Sequence, residues 1–336
     1  MSEANLARPP SEANPVPPPF LLGANLPWAT YGCDFGRGPW TPDGGLASSR
    51  DLSRVRDVLA RAAGAGVRAI RWFLLCDGRA GVRFDRRGVP CGLDDRVAPD
   101  IETALALAEA AGLGVVFVVF DFHWCLPTVS TRAAAAERRL ALSDPGRRDV
   151  LLSCVLGPLW RRFGGEPVIR GWDLMNEPEW VTFGLGGWRP HLTVDAGDMR
   201  AFLALAARCA HAETRQAVTV GSARLGWIGL VEGLGLDFYQ PHWYDRLDRR
   251  VPLLTPVSRA ALDAPALLGE FPSRGSRLEV DEIVSIARAA GYRGAFAWSL
   301  LADDPATDAE RALAGLARWS HAARGDPLFR GTTDSL

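Results

Sequence analysis

The sequence predicts an α/β chain closed into a single (β/α)8 TIM barrel. Three observations predict it. From Phe20 onward, short apolar runs alternate with longer amphipathic stretches; eight such runs follow one another; and no shift in composition divides the 336 residues. Strands alternating with helical segments imply a parallel sheet, and eight strands are enough to close one. A barrel of about 250 residues or more is still one unit. The competing fold is a doubly wound open sheet, which carries a glycine-rich turn after its first strand. Here the first run ends in Gly23-Ala24-Asn25, which is not that turn.

The elements read in order as follows. Phe20 to Asn25 is the first strand, and Asp51 to Ala63 is a helix that turns Val55, Val58, Leu59 and Ala62 to one face. Val67 to Leu74 is the second strand. An Ala/Leu-rich helix, 101 to 111, precedes Val115 to Phe120, a continuous apolar run of the kind buried on both faces of a parallel sheet. Asp144-Pro145 opens a helix to about Phe163, with Asp as N-cap and Pro in the first turn. Val168 to Met175, Ala217 to Val220, Leu236 to Gln240, Ala266 to Gly269 and Gly294 to Leu300 are strands four to eight. Helices are expected over 198–212, 280–290 and 307–321, the last with a Thr307–Glu310 capping box.

The Pro-rich residues 1–19 read as a disordered or loosely attached arm, 20–325 as the barrel and 326–336 as a tail. No basic segment followed by an apolar one opens the chain, and no apolar run reaches the roughly 18 residues of a membrane span. As written, the chain is expected in the cytoplasm. A net charge of -1 leaves no footprint for nucleic acid or an anionic membrane. All 38 basic residues are Arg, which excludes a lysine Schiff base, a P-loop lysine and a Ser–Lys dyad. The six cysteines show no CxxC spacing, which speaks against a zinc site or a disulfide scaffold. Cys154 and Cys209 are expected as buried thiols, and one disulfide among Cys33, Cys76, Cys91 and Cys125 is open.

Functional side chains of such barrels gather at the C-terminal ends of the strands. Read in that order, the strand ends carry Asn25; Arg71 and Trp72; Asp121, His123 and Trp124; Asn176 and Glu177; His242, Trp243 and Tyr244; Glu270; and Trp298. Glu177 and Glu270 are the sharpest feature, because each directly follows a β-type apolar segment. Strands four and seven face each other across a closed mouth, so the two carboxylates can approach to about 5–5.5 Å, the spacing for double displacement at a sugar carbon. One attacks the anomeric carbon, while the other protonates the leaving oxygen and then activates water. The attacking carboxylate needs donors to stay ionised, and Arg71 and Tyr244 are the candidates.

The run Asp173-Leu174-Met175-Asn176-Glu177-Pro178 resembles the Asn-Glu-Pro signature that ends strand four in clan A glycoside hydrolases, most closely family 5, the cellulase and mannanase family. Gly269-Glu270-Phe271 resembles that family's nucleophile segment. Arg71, His123, the pair His242 and Tyr244, and Trp298 match its residues on strands two, three, six and eight. The resemblance spans residues 20 to 301 with its motifs in order. It implies a retaining β-glycoside hydrolase acting on β-linked glucan or mannan, with Glu177 as acid/base and Glu270 as nucleophile. Asn176 would donate to the sugar 2-hydroxyl, His123 and His242 would line the cleavage subsite, and Trp298 would form its floor. Asn25, Trp124, Trp180, Trp188 and Trp243 are further substrate-binding or supporting candidates. Leu21 to Trp40 does not map onto the family.

No cofactor and no metal are expected. The partner is a carbohydrate, with no nucleic acid and no membrane, and the protein is expected to be a monomer. Three other readings remain. A metal-dependent hydrolase could use Asp121, His123, His242 and Glu270, although such barrels place paired His on strand one, and no His precedes 123 here. A non-catalytic carbohydrate-binding barrel would be free to lose a carboxylate. A transglycosylase would use the same glutamate pair.

Overall fold

The computed structural model describes residues 20–128, 132–249 and 253–323. The arm and the tail expected at 1–19 and 326–336 lie outside them. Eight parallel strands form one sheet, numbered here β1 to β8 along the chain: β1 Leu21–Leu26, β2 Ala69–Phe73, β3 Gly114–Asp121, β4 Ile169–Asn176, β5 Ala217–Ser222, β6 Gln240–Pro241, β7 Leu268–Pro272 and β8 Gly294–Trp298. Each strand pairs with its chain neighbour, and β1 pairs with β8 (Leu21 opposite Gly294). The remaining seam, between β6 and β7, is closed by a parallel bridge Tyr239–Ala266, by Tyr239 N–H donating to Pro265 O at 2.8 Å and by Trp243 N–H donating to Glu270 O at 2.9 Å. The sheet is therefore a (β/α)8 TIM barrel, not an open doubly wound sheet.

The local reasons match the sequence in most places. Every residue of β3 is buried, as an uninterrupted apolar strand between barrel interior and helix layer requires. The helix Ser53–Gly64 buries Val55, Val58, Leu59 and Ala62. Asp144 caps the helix that begins at Pro145 by accepting from Arg147 N–H at 2.9 Å, and that helix runs to Phe163 through a π turn, Leu152–Leu156.

Several expectations are corrected. After β5 and β6, where the sequence predicts no helix, short 3-10 turns stand, Leu225–Leu230 and Val257–Ala260. A hairpin, Val82–Phe84 with Pro90–Leu93, and a helix, Arg132–Ser143, went unread because neither carries a clear apolar period. The Thr307–Glu310 capping box does not form. Thr307 donates its hydroxyl to Asp304 Oδ2 at 3.1 Å, and Asp308, one residue on, accepts from Arg311 N–H at 3.0 Å. A capping box does form at Glu279 and Glu282. The thiols invert the expectation: Cys154 is exposed on the outer side of the π turn and Cys209 half-buried, while Cys33, Cys76 and Cys125 are buried. None of the six is paired.

Candidate active site

The mouth of the barrel is organised around Arg71. Its guanidinium, shut off from solvent on β2, donates from Nε and Nη2 to Asp173 Oδ2 (3.0 and 2.8 Å), from Nη1 to Asn25 Oδ1 (3.0 Å) and Glu270 Oε1 (2.7 Å), and from Nη2 to Asn176 Oδ1 (2.7 Å). One buried cation thus ties β1, β2, β4 and β7 together. Only a rigid fork of N–H donors can serve four partners at once. Asp173 is held in turn by Gly221 N–H (2.9 Å), and Asn25 donates to Gly269 O (3.0 Å). Two glycines make the room. A Cβ on Gly221 would stand 2.5 Å from Arg71 Nη2, and one on Gly269 would stand 2.9 Å from the His242 ring. Sequence reasoning missed both, because a strand glycine does not announce which side chain crosses it.

Glu177 and Glu270 meet across this mouth. Carboxylate oxygens of both, with a ring nitrogen of His242, lie within 4.8 Å of one another. Glu177 adopts a left-handed backbone (φ 48, ψ 50) immediately after β4, a conformation seldom held by a non-glycine residue and concentrated at working sites. Its N–H donates to Gly221 O at 2.6 Å, its Oε2 accepts from Trp180 Nε1 at 2.7 Å, and its Oε1 lies 2.8 Å from His242 Nδ1. The same Nδ1 is 3.4 Å from Glu270 Oε2, which also accepts from the Tyr244 hydroxyl at 2.8 Å.

The electrostatics separate the two acids. Burial pushes the Glu177 carboxyl up to about 7, with the Trp180 N–H pulling the other way. Burial also raises Glu270, but His242, Arg71 and the Tyr244 hydroxyl oppose it. Burial lowers His242 to about 4, so its imidazole is neutral near pH 7 and can donate one N–H to a carboxylate. A carboxylic acid and a carboxylate facing each other at this range can act on one sugar carbon, the first donating a proton and the second attacking.

The other candidates separate into those that meet the pair and those that do not. Asn176 accepts from Arg71 and donates to Asp121 Oδ2 (2.8 Å), and Asp121 also accepts from the N–H and ring of His123. Trp298, half-buried on β8, donates to Asp304 Oδ2 at 2.8 Å, a fixing partner the sequence did not reveal. Asn25 is wholly buried beneath Arg71, so it supports the site and does not touch a ligand. Trp124 is a correction. It is fully buried, packs on Phe120 (4.3 Å between centroids) and donates to Arg138 O, because the 3-10 turn after β3 rotates it into the helix layer. Trp243 is likewise a correction as a stacking surface, being buried at the β6–β7 seam. Trp188 projects into solvent at 70% exposure. Trp227, which sequence reasoning passed over, meets Trp180 edge to face at 5.2 Å.

Among the described residues, Glu177, His242 and Glu270 form the one group of three His, Cys, Asp or Glu side chains that converge closely enough to share an ion. Asp121 and His123, offered by the metal-dependent reading, pair with each other outside that group. In the converging group the carboxylate oxygens already accept from Arg71, Tyr244 and Trp180, an arrangement of hydrogen-bond donors around two acids.

Fold and site together are similar to the (β/α)8 barrels of clan A glycoside hydrolases, most like family 5. Known proteins agree. The chain is 25% identical over 322 residues to a mannan endo-1,4-beta-mannosidase of Mytilus edulis, covering 83% of each chain. It superposes on an endo-1,4-beta-mannanase of Eisenia fetida with a TM-score of 0.73 at 24% identity, covering 91% of each, and on a beta-1,4-D-mannanase of Cryptopygus antarcticus with a TM-score of 0.75 at 19% identity, covering 91% of this chain and 90% of that one. No family model matches the chain.

Proposed function

We propose that this protein is a retaining β-glycoside hydrolase that cleaves internal β-1,4 linkages of mannan, with residues 20–325 as the catalytic unit. The observation that carries this reading is that an oxygen of Glu177 and an oxygen of Glu270 lie within 4.8 Å of each other, which fits the roughly 5–5.5 Å carboxyl spacing of double displacement better than the roughly 6.5–9.5 Å that an inverting pair needs to admit a water. Glu270, held by Arg71 and Tyr244, attacks the anomeric carbon from one face. Glu177 protonates the departing glycosidic oxygen, then takes a proton from the water that releases the sugar. Asn176 lies beside the pair, where it can meet the sugar 2-hydroxyl, and Trp298 provides an aromatic floor.

The preference for mannan over glucan is supported by the Mytilus mannan endo-1,4-beta-mannosidase and the Eisenia endo-1,4-beta-mannanase, each of which matches most of the chain. Six unpaired cysteines suit a reducing compartment, and no described helix is long and apolar enough to cross a membrane.

The test is a panel of β-linked polysaccharides with product lengths read out. Wild-type protein should release short oligosaccharides from β-1,4-mannan, and Glu177→Gln should lose about 10²- to 10⁴-fold on a substrate with a poor leaving group. Products longer than the substrate would point to transglycosylation. Activity of Glu177→Gln equal to the parent would end the catalytic reading.

A further inference from the structure

The loop after β1, from Pro27 to Trp40, belongs to the stretch Leu21 to Trp40 that the sequence did not map onto the family, and it builds a second feature beside the mouth. From Trp298 a row of rings leads outward: Phe73 at 6.2 Å between centroids, Trp28 at 5.9 Å, Tyr31 at 4.2 Å and Trp40 at 6.3 Å. From the buried Phe73 outward exposure rises through Trp28 and Tyr31, and Trp40 at the end is 56% open to solvent. Trp40 sits on a tight turn in which Gly38 and Thr41 exchange backbone hydrogen bonds, each 3.2 Å. Behind the rings, the buried Arg79 guanidinium stacks over Tyr31 at 4.2 Å and lies 5.0 Å from Trp40, and Arg79 is itself locked to Asp77, which also accepts from Thr128. An exposed tryptophan braced from behind by a fixed cation is a preorganised surface. Trp40 also borders a cavity of about 350 Å³ whose lining mixes the hydroxyls of Thr30, Thr41 and Ser48 with the charged Asp43, Asp51 and Arg54.

We propose that Trp40 and the cavity it borders form a distal sugar subsite that holds the glycone end of a long β-mannan chain. An aromatic face flanked by hydroxyls, carboxylates and a guanidinium matches the apolar faces and polar rims of pyranose rings. The side of the cleft follows from topology. Glu177, which would protonate the leaving group, follows β4, whereas the ring row starts with Trp298 on β8 and Phe73 on β2 and continues into the loop after β1, on the other side of the mouth. The subsite therefore receives the part of the chain that stays with the nucleophile. Four ring-to-ring steps separate Trp40 from Trp298, so only substrates several sugars long reach it.

This inference rests on the proposed mannan-cleaving reading, and the experiment separates the two. Steady-state kinetics are compared for wild type, Trp40→Ala and Trp40→Phe on polymeric β-1,4-mannan and on a short aryl β-mannobioside. Trp40→Ala should raise KM on the polymer about three- to tenfold, the size of one aromatic contact, with kcat unchanged. It should leave kcat/KM on the short substrate untouched, and Trp40→Phe should recover most of the loss. Equal effects on both substrates, or none on either, would overturn the distal subsite while leaving the catalytic reading intact. A wild-type protein inert on every β-mannan would overturn both.

Discussion

Arg71 Nη1 donates to Glu270 Oε1 at 2.7 Å, and both side chains are withdrawn from solvent. The same guanidinium satisfies Asp173, Asn25 and Asn176, so the charge of the attacking acid and the geometry of the mouth depend on one residue. Arg71→Lys keeps the charge but replaces a planar fork with a point donor that cannot serve four partners. Removing one partner of a buried ion pair costs about 3–5 kcal/mol. Arg71→Lys should lower kcat at least tenfold and lower the melting temperature together, read by steady-state kinetics and thermal denaturation. A variant with parental values in both would separate Arg71 from the site.

Tyr244 controls the acidic side of the pH profile. Its hydroxyl donates to Glu270 Oε2 at 2.8 Å and helps to lower a carboxyl that burial raises. In Tyr244→Phe that help is lost, so Glu270 stays protonated to higher pH and the acidic limb of kcat/KM moves up. A hydrogen bond to a charged group is worth about 1.5–3 kcal/mol, so the rate at the optimum should fall about ten- to a hundredfold. An unmoved acidic limb would mean that Glu270 is not the group titrating there.

The alkaline limb belongs to Glu177, which must carry its proton to donate it. With burial pushing it up to about 7, activity should decline as the pH rises through that value. The Trp180 N–H on Oε2 favours the ionised form, so Trp180→Phe should shift the limb to higher pH. Profiles of kcat/KM for the two proteins decide it, and a downward shift would contradict this assignment.

Glu179, two residues past Glu177, is wholly buried, with Oε2 accepting from Ala223 N–H at 3.1 Å. Burial first, and the nearby Glu177 charge, push it up to about 8. Its folded value is raised above the unfolded one. Over the window between an ordinary carboxylate value and about 8 the native state therefore holds a proton that the unfolded chain has released, and stability falls as the pH rises. Glu179→Gln keeps a neutral side chain of the same shape and should flatten the melting temperature across that window. Parallel curves for the two proteins would show that Glu179 is ionised in the fold.

How much of this the sequence disclosed depends on what each signal encodes. Glu177 and Glu270 were legible because each directly follows an apolar strand, and strand ends in a closed barrel share one mouth. Trp124 and Trp180 both follow strand ends as well, yet one turns into the helix layer against Arg138 and the other onto Glu177. Periodicity does not fix a side chain's direction within a 3-10 turn. The spaces at Gly221 and Gly269, the Asp304 partner of Trp298 and the Arg79 brace behind Trp40 are contacts between segments far apart in the chain, and no local pattern encodes them.

The most direct test is the stereochemistry of the first product. Proton NMR of the nascent reducing end, recorded before mutarotation, reports which anomer the enzyme releases from β-1,4-mannan oligosaccharides. Two carboxylates within 4.8 Å predict the β anomer, retained through a glycosyl–Glu270 intermediate. Release of the α anomer would contradict it.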